Sequence, residues 1–317
     1  MVLATGVAES LHRAYPSAKL VMLVRAGNAS VLDDHPFLEV WTWEKRTAKL
    51  RNLMALVSRI RERRFDLVVN LHRFASSGLL TAFSGARETR GFDKNPLSRF
   101  FSRRYPHPIG KKGDANYLHE TERNHALVAD LCTIHPPKIH PNVAAVEQLI
   151  RLEGRIPGNY AVVAPASVWF TKQWPAQQWI RLIDALAPLP VCLIGAPADH
   201  ALAETIVLAT GNPSVQNLCG KLSLLASALL MKEARMSYVN DSGPLHLCSA
   251  TGASVTAVFC STVPEFGFGP IGEHARVVET KTDLACRPCG LHGHRDCPQK
   301  HFKCALEIDP ARLIPEA

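Results

Sequence analysis

Three short stretches in the second half of the chain hold the residues best suited to chemistry, and each follows an apolar run of strand length. In "ASVWFTKQWP", Ser167, Thr171 and Lys172 put two hydroxyls and an ammonium just past "YAVVAP". A lysine neutralises phosphate as a point charge and a hydroxyl donates to its oxygens, although a lysine before a tryptophan is also an ordinary surface residue. In "LIGAPADHALAE", Asp199 stands at the start of a predicted helix, where a carboxylate caps the helix or accepts from ribose hydroxyls.

The third stretch, "YVNDSGPLHLCSATG", runs from a strand into Asp241, Ser242, Gly243 and Pro244, and then a helix with His246 in its first turn. Free N–H groups and the dipole at a helix start attract anions. Gly243 permits close approach and Pro244 presets the first-turn φ. Ser242 can add a hydroxyl donor. A carboxylate repels phosphate, so Asp241 reads as a helix cap or an organiser of the loop. The spacing G-x-S-x-G is absent, so this is no nucleophile elbow.

The elements that position these residues alternate. A helix over the first turns, a strand at Leu20 to Val24, a strand at Leu38 to Trp43, the helix "LRNLMALVSRIRERRF", the strand "DLVVNL" and a small-residue helix in "HRFASSGLLTAFSG" make up the first half. Residues 91–117, rich in Lys, Arg, Gly and Pro, read as a long loop. A helix over Glu120 to Cys132 and a Pro-rich approach to a linker follow, with the domain edge near 140–158. The second half repeats the strand and helix rhythm. This predicts an α/β protein of two Rossmann-like domains, residues 1–150 and 151–317, with parallel sheets facing a central cleft and ligands at the carboxyl ends of the strands. Neither half carries GxGxxG, which disfavours a dinucleotide dehydrogenase.

Charge is unevenly placed. Residues 1–150 hold 22 Lys+Arg against 14 Asp+Glu, whereas residues 151–317 hold 14 of each. The first half is therefore expected to face something anionic, or to present a solvated basic face. No apolar run reaches the ~18 residues of a membrane span and no signal-peptide layout opens the chain, so a cytoplasmic location is expected. Of the nine cysteines, Cys286, Cys289, Cys297 and Cys304 cluster in a tail, 286–304, interleaved with His292, His294 and His301. A CxxC knuckle with two more cysteines can hold structural Zn(II); reduced, unliganded thiols or oxidised pairs fit the same spacing.

Taken in order, "TKQWP", "LIGAPAD", "NLCGKLSL" and "NDSGPLHLCSATG" resemble the heptosyltransferases of glycosyltransferase family 9, and "VLATGVAESLHRAYPSAKLVMLV" extends the resemblance over essentially the whole chain. The resemblance implies a GT-B fold and inverting transfer of heptose from ADP-heptose to the inner core of lipopolysaccharide. It implies that the second domain binds the donor through Ser167, Thr171, Lys172, Asp199, Leu222 near the adenine, Asp241, Ser242, Gly243 and His246. No cofactor is required; positive charge and helix dipoles would stabilise the departing ADP.

In such relatives a first strand and a Gly-Asp loop stand before "VLAT", and that Asp is the proposed general base. Met1 here falls just after its position, so the expectation is a missing first strand, an N-terminally truncated chain and no assigned base; Glu9, His12, His72 and Asp93 are available by type alone. For the acceptor, Arg73, Lys94, Arg103 and Arg104, with Arg99, Lys111 and Lys112, would meet a carboxylated, phosphorylated sugar lipid. They also suit adsorption to anionic lipid at the cytoplasmic face of the inner membrane. Competing readings are a related transferase with another nucleotide sugar or glycan acceptor, and a noncatalytic basic binding module. The lack of interleaved aromatic and basic residues argues against a nucleic-acid partner.

Overall fold

The computed structural model describes residues 1–44, 49–152 and 158–315. The chain divides into two compact units, one of Met1, Leu3–Ile109 and Leu118–Pro137, the other of Val2, Gly110–Tyr117 and the chain from Lys138 onward.

In the first unit the elements are α1 (Thr5–Ala14), β1 (Leu20–Arg25), β2 (Leu38–Trp43), α2 (Lys49–Arg63), β3 (Leu67–Asn70), α3 (Ala75–Ala82), β4 (Glu88–Phe92), β5 (Arg103–Tyr105) and α4 (Glu120–His125). All strand pairs are parallel, but they form two separate sheets, β1 with β2 and β3 with β4 and β5. Helix α2 places Leu53, Leu56, Val57 and Ile60 on one face by helical spacing, and they pack on Trp41 and Trp43 of β2 and on Leu80 of α3. The basic outer face of α2 is not idle. Arg59 lies over the Trp41 ring at 3.7 Å and Arg63 pairs with Glu39 at 2.5 Å.

The second unit holds α5 (Val143–Ile150), β6 (Ala161–Ala164), α6 (Ala176–Leu186), β7 (Val191–Leu193), α7 (His200–Ala209), β8 (Val215–Asn217), α8 (Leu224–Glu233), β9 (Met236–Asn240), α9 (Gly243–Thr251), β10 (Val255–Phe259), β11 (Ala275–Glu279) and α10 (Lys303–Leu306). One parallel sheet runs β11-β10-β9-β6-β7-β8. The direction of winding reverses between β6 and β9. At such a switch point two neighbouring strands send their loops apart and leave a crevice at their carboxyl ends. Strands β6, β7 and β10 are buried along their whole length, as their largely apolar sequences "AVVA", "VCL" and "VTAVF" require. Trp174 and Trp179 meet edge to face at 4.8 Å in its core.

Several expectations need correction. The stretch 91–117 is not all loop, because it ends β4 and contains β5. The helix expected to reach Cys132 stops at His125 and continues as turns. The expected domain edge near 140–158 contains α5, which packs on α8 and whose Gln148 accepts from the Ser223 backbone N–H at 2.8 Å. Part of the expected linker, residues 153–157, lies outside the described residues. Lys112, placed by its position with the basic half, belongs to the second unit and pairs with Asp283 at 2.6 Å. Among the described residues no helix is long and apolar enough to cross a membrane.

Candidate functional site

The switch point is built around Asn240, the last residue of β9, which is fully buried. Its side-chain amide donates to the Pro165 carbonyl at 2.9 Å, and its oxygen accepts the Trp174 backbone N–H at 2.9 Å. One side chain thus fixes both ends of the loop after β6. Between those ends the Ser167 N–H donates to Gln173 Oε1 at 3.3 Å, and a short 3-10 turn, Phe170–Lys172, aims Thr171 and Lys172 back toward β9.

Lys172 Nζ lies 2.7 Å from Asp241 Oδ2, with the two side chains 15% and 7% exposed. The Thr262 hydroxyl donates to the same carboxylate oxygen at 2.6 Å. Asp241 therefore does not cap α9. It follows β9 directly and pairs with the lysine. Ser242 stands at the N-cap of α9 without a side-chain cap bond, Gly243 is exposed, and His246 is half-buried in the first turn. No backbone or side-chain atom lies within 4 Å of the place a Gly243 Cβ would take, so the helix start is open to an approaching group. An ammonium and an open helix N-terminus each attract anions.

The cysteine-bearing tail is sewn to this site. Thr171 Oγ1 accepts from the His294 N–H at 2.8 Å and from the Ser261 hydroxyl at 3.0 Å. Gly293, at φ +77°, passes so near that a Cβ there would sit 2.9 Å from Thr171 Oγ1 and 3.0 Å from Lys172 Cγ. Arg287, also buried, donates to the carbonyls of Phe259, Cys260 and Thr262 and pairs with Glu279 at 2.6 Å, tying the loop after β10. The Cys289 N–H adds a bond to the Ser261 carbonyl at 2.8 Å.

The expected zinc ligands do not close into a set. Cys286 Sγ is 3.7 Å from His301 Nε2 and the Cys289 thiol donates to the Cys286 carbonyl. Yet among the described residues no three ligand atoms of the tail lie within 4.8 Å of one another. The donor set as arranged does not fit a tetrahedral ion.

On the adjacent strands, Asp199 and Leu222 occupy neighbouring loops. The Gly220 N–H, in a residue with φ +76°, donates to the Gly195 carbonyl at 2.9 Å and joins the turns after β7 and β8. Asp199 Oδ2 accepts the Ala196 N–H at 2.7 Å and sits at the N-cap of α7; Leu222 is half-buried one residue before the Ser223 cap of α8.

In the first unit the basic residues separate into two groups. Arg73 and Lys94 line one pocket with Asp93 and His107, held together by Asn95, whose amide donates to the carbonyls of His72 and Phe74 at 3.0 Å each. Arg103 instead joins a structural network, bonding Glu88 at 2.9 Å and Asp130 at 2.7 Å, the carboxylates that also hold the buried Arg90. Arg104 is exposed. Sequence reasoning missed Asn240, Ser261, Thr262 and Arg287. The polar pair Ser261-Thr262, one residue past the end of β10 as Asp241-Ser242 lies just past the end of β9, was the available signal.

The model of glycosyltransferase family 9 (heptosyltransferase) matches residues 53–298. The chain is 26% identical over 299 residues to lipopolysaccharide heptosyltransferase 1 of Pseudomonas aeruginosa, covering 87% of this chain and 79% of that protein. It is 25% identical over 280 residues to lipopolysaccharide heptosyltransferase 3 of Escherichia coli, covering 83% and 80%. Its fold is similar to that of E. coli ADP-heptose lps heptosyltransferase II, with a TM-score of 0.76 at 19% identity over 99% of this chain and 92% of that one. Parallel α/β sheets of the GT-B type and a family match over most of the chain lead to one conclusion: the chain belongs to glycosyltransferase family 9 and is a glycosyltransferase of heptosyltransferase type.

Proposed function

We propose that the protein transfers heptose from ADP-heptose to a hydroxyl of the lipopolysaccharide inner core with inversion at the anomeric carbon. The observation that carries this reading is the Lys172–Asp241 pair at the open start of α9. The donor diphosphate would lie on the first N–H groups of α9 with Lys172 and Ser242 as donors, while Asp199 faces the ribose and the backbone at Leu222 the adenine. The acceptor oxygen forms a bond to the anomeric carbon as the bond from that carbon to the diphosphate breaks. The electron pair leaves with ADP, and the Lys172 charge and helix dipole stabilise it. The acceptor proton passes to a base, a role assigned to none of Glu9, His12, His72 and Asp93.

In this reading Arg73, Lys94 and Arg104 meet phosphate and carboxylate groups of the core, and Arg103, engaged with Glu88 and Asp130, does not. Two exposed aromatics beside these cations, Phe74 (68%) and Phe100 (55%), support contact with an anionic bilayer at the cytoplasmic face of the inner membrane. The test is a donor panel with a heptose-deficient core acceptor. Product from ADP-heptose, and little or none from ADP-glucose or UDP-glucose, is expected. Equal turnover of a UDP-sugar would contradict the reading.

A further inference from the structure

The basic stretch expected to meet an anionic acceptor sends part of itself elsewhere. Gly110–Tyr117 belongs to the second unit, and it leaves and returns at one place, because a Cβ on Gly110 would sit 2.6 Å from that of Tyr117. A strap whose ends meet is a small Ω-type loop. Its interior is set locally. The Asp114 N–H donates to the Lys111 carbonyl at 2.9 Å, Gly113 takes the left-handed φ of +79°, and the Asn116 N–H donates to Asp114 Oδ1 at 3.0 Å.

The strap is seated on the loop after β10. A Cβ on Gly110 would collide with the Glu265 carbonyl oxygen, so the two backbones touch and no side chain fits between them. The Gly113 N–H donates to Glu265 Oε1 at 3.0 Å, while Glu265 Oε2 is buried with no hydrogen-bond partner among the described residues. A carboxylate with one buried oxygen unmet is a poor device for stability alone. Lys112 pairs with Asp283 at 2.6 Å, but the Asp283 side chain is 93% exposed and the pair adds little hold. Glu265 lies in the 3-10 turn Pro264–Phe266, shortly after Thr262. The Thr262 hydroxyl donates to the Asp241 oxygen that holds Lys172, and the Thr262 carbonyl accepts from Arg287 at 2.7 Å. The loop is thus gripped at Thr262 by Arg287 and at Glu265 by the strap.

We propose that Glu265 is a positioning residue for the Lys172 site. By holding the strap against the loop after β10 it fixes Thr262, and through Thr262 and Asp241 it fixes the ammonium of Lys172. The inference rests on the reading of that ammonium as a partner of the donor diphosphate. A loop gripped on both sides of its key hydroxyl has less freedom to lose when the anion arrives, so affinity rises with no new contact to the ligand.

The test reads ADP affinity by calorimetry and, without ligand, hydrogen exchange across residues 259–267. Glu265→Ala removes the acceptor of the Gly113 N–H, and Gly110→Ala forces the backbones apart. Each is expected to speed exchange in that loop and to weaken ADP binding roughly fivefold or more. Glu265→Gln keeps a side-chain oxygen for the same N–H and is expected to bind ADP as the native chain does. Thr262→Val severs the bond to Asp241, and on that background Glu265→Ala is expected to cost no further affinity, since both act through one contact. The positioning role is overturned if Glu265→Gln loses as much as Glu265→Ala, if the losses of Thr262→Val and Glu265→Ala add, or if Glu265→Ala speeds exchange and leaves ADP affinity unchanged. Lys172→Ala, measured alongside, separates the two readings. Undiminished ADP affinity there overturns the diphosphate assignment and the positioning role with it, whereas a loss there and none in Glu265→Ala overturns the positioning role alone.

Discussion

Lys172 Nζ rests 2.7 Å from Asp241 Oδ2, so the cation offered to a phosphate is held by a carboxylate from the next strand of the switch point. Removing one partner of a buried pair strands the other charge, a loss of about 3–5 kcal/mol. Asp241→Ala should therefore lower stability on that scale in chemical denaturation. The double variant Lys172→Met with Asp241→Leu should recover most of it. Equal losses in the two would show that the pair contributes through something other than charge.

Gly293 ties the tail to the site through its left-handed φ and its approach to Thr171 and Lys172. Gly293→Ala adds a Cβ where no space exists and at a backbone angle that disfavours it, at ~1 kcal/mol or more. Thermal unfolding should show the loss, and ADP affinity should fall with it. Unchanged ADP affinity would mean the tail does not shape the donor site.

A pH dependence follows from Glu120. Burial raises its pKa, but the hydrogen bond from His107 and the Arg123 guanidinium at 2.8 Å outweigh that and hold it below its ordinary value of 4.5. The folded state then binds fewer protons than the unfolded one just below that value. The stabilisation is fully present above pH 4.5 and is lost as pH falls through the folded pKa. Glu120→Gln should flatten the acid limb of a stability profile; a limb as steep as that of the native chain would assign it to other carboxylates.

Burial pushes the thiols of Cys192 and Cys248 up to about 12 and that of Cys219 to about 11. The thiolate is the reactive form, so these three should resist iodoacetamide at pH 8 in the native protein and react after urea unfolding. Mass spectrometry of the alkylated peptides checks this, and early native labelling of Cys192 would contradict it.

Much of the fold was legible because its strands and helices follow one period. "LEVWTW", "AVVA" and "VTAVF" show themselves as β2, β6 and β10, and Leu53, Leu56, Val57 and Ile60 mark α2. Elements whose burial depends on partners far away were not. β4 contains Arg90, a residue that reads as exposed until Glu88 and Asp130 neutralise it. β8, "VQN", is a short polar edge strand, and α5 hides behind prolines. The site divides in the same way. Lys172, Ser242 and Gly243 announce themselves by turn chemistry at strand ends. The clamp by Asn240 and the anchor by Arg287 rest on contacts across 75 and 27 residues of chain, which no local pattern encodes.

The central claim is that Lys172, held by Asp241 at the start of α9, binds the diphosphate of a nucleotide sugar. Its most direct test is calorimetric titration of ADP into the native chain and into Lys172→Ala at moderate salt. A charged hydrogen bond of about 1.5–3 kcal/mol predicts roughly 10- to 100-fold weaker binding in the variant. Unchanged ADP affinity in a folded Lys172→Ala protein would contradict the account.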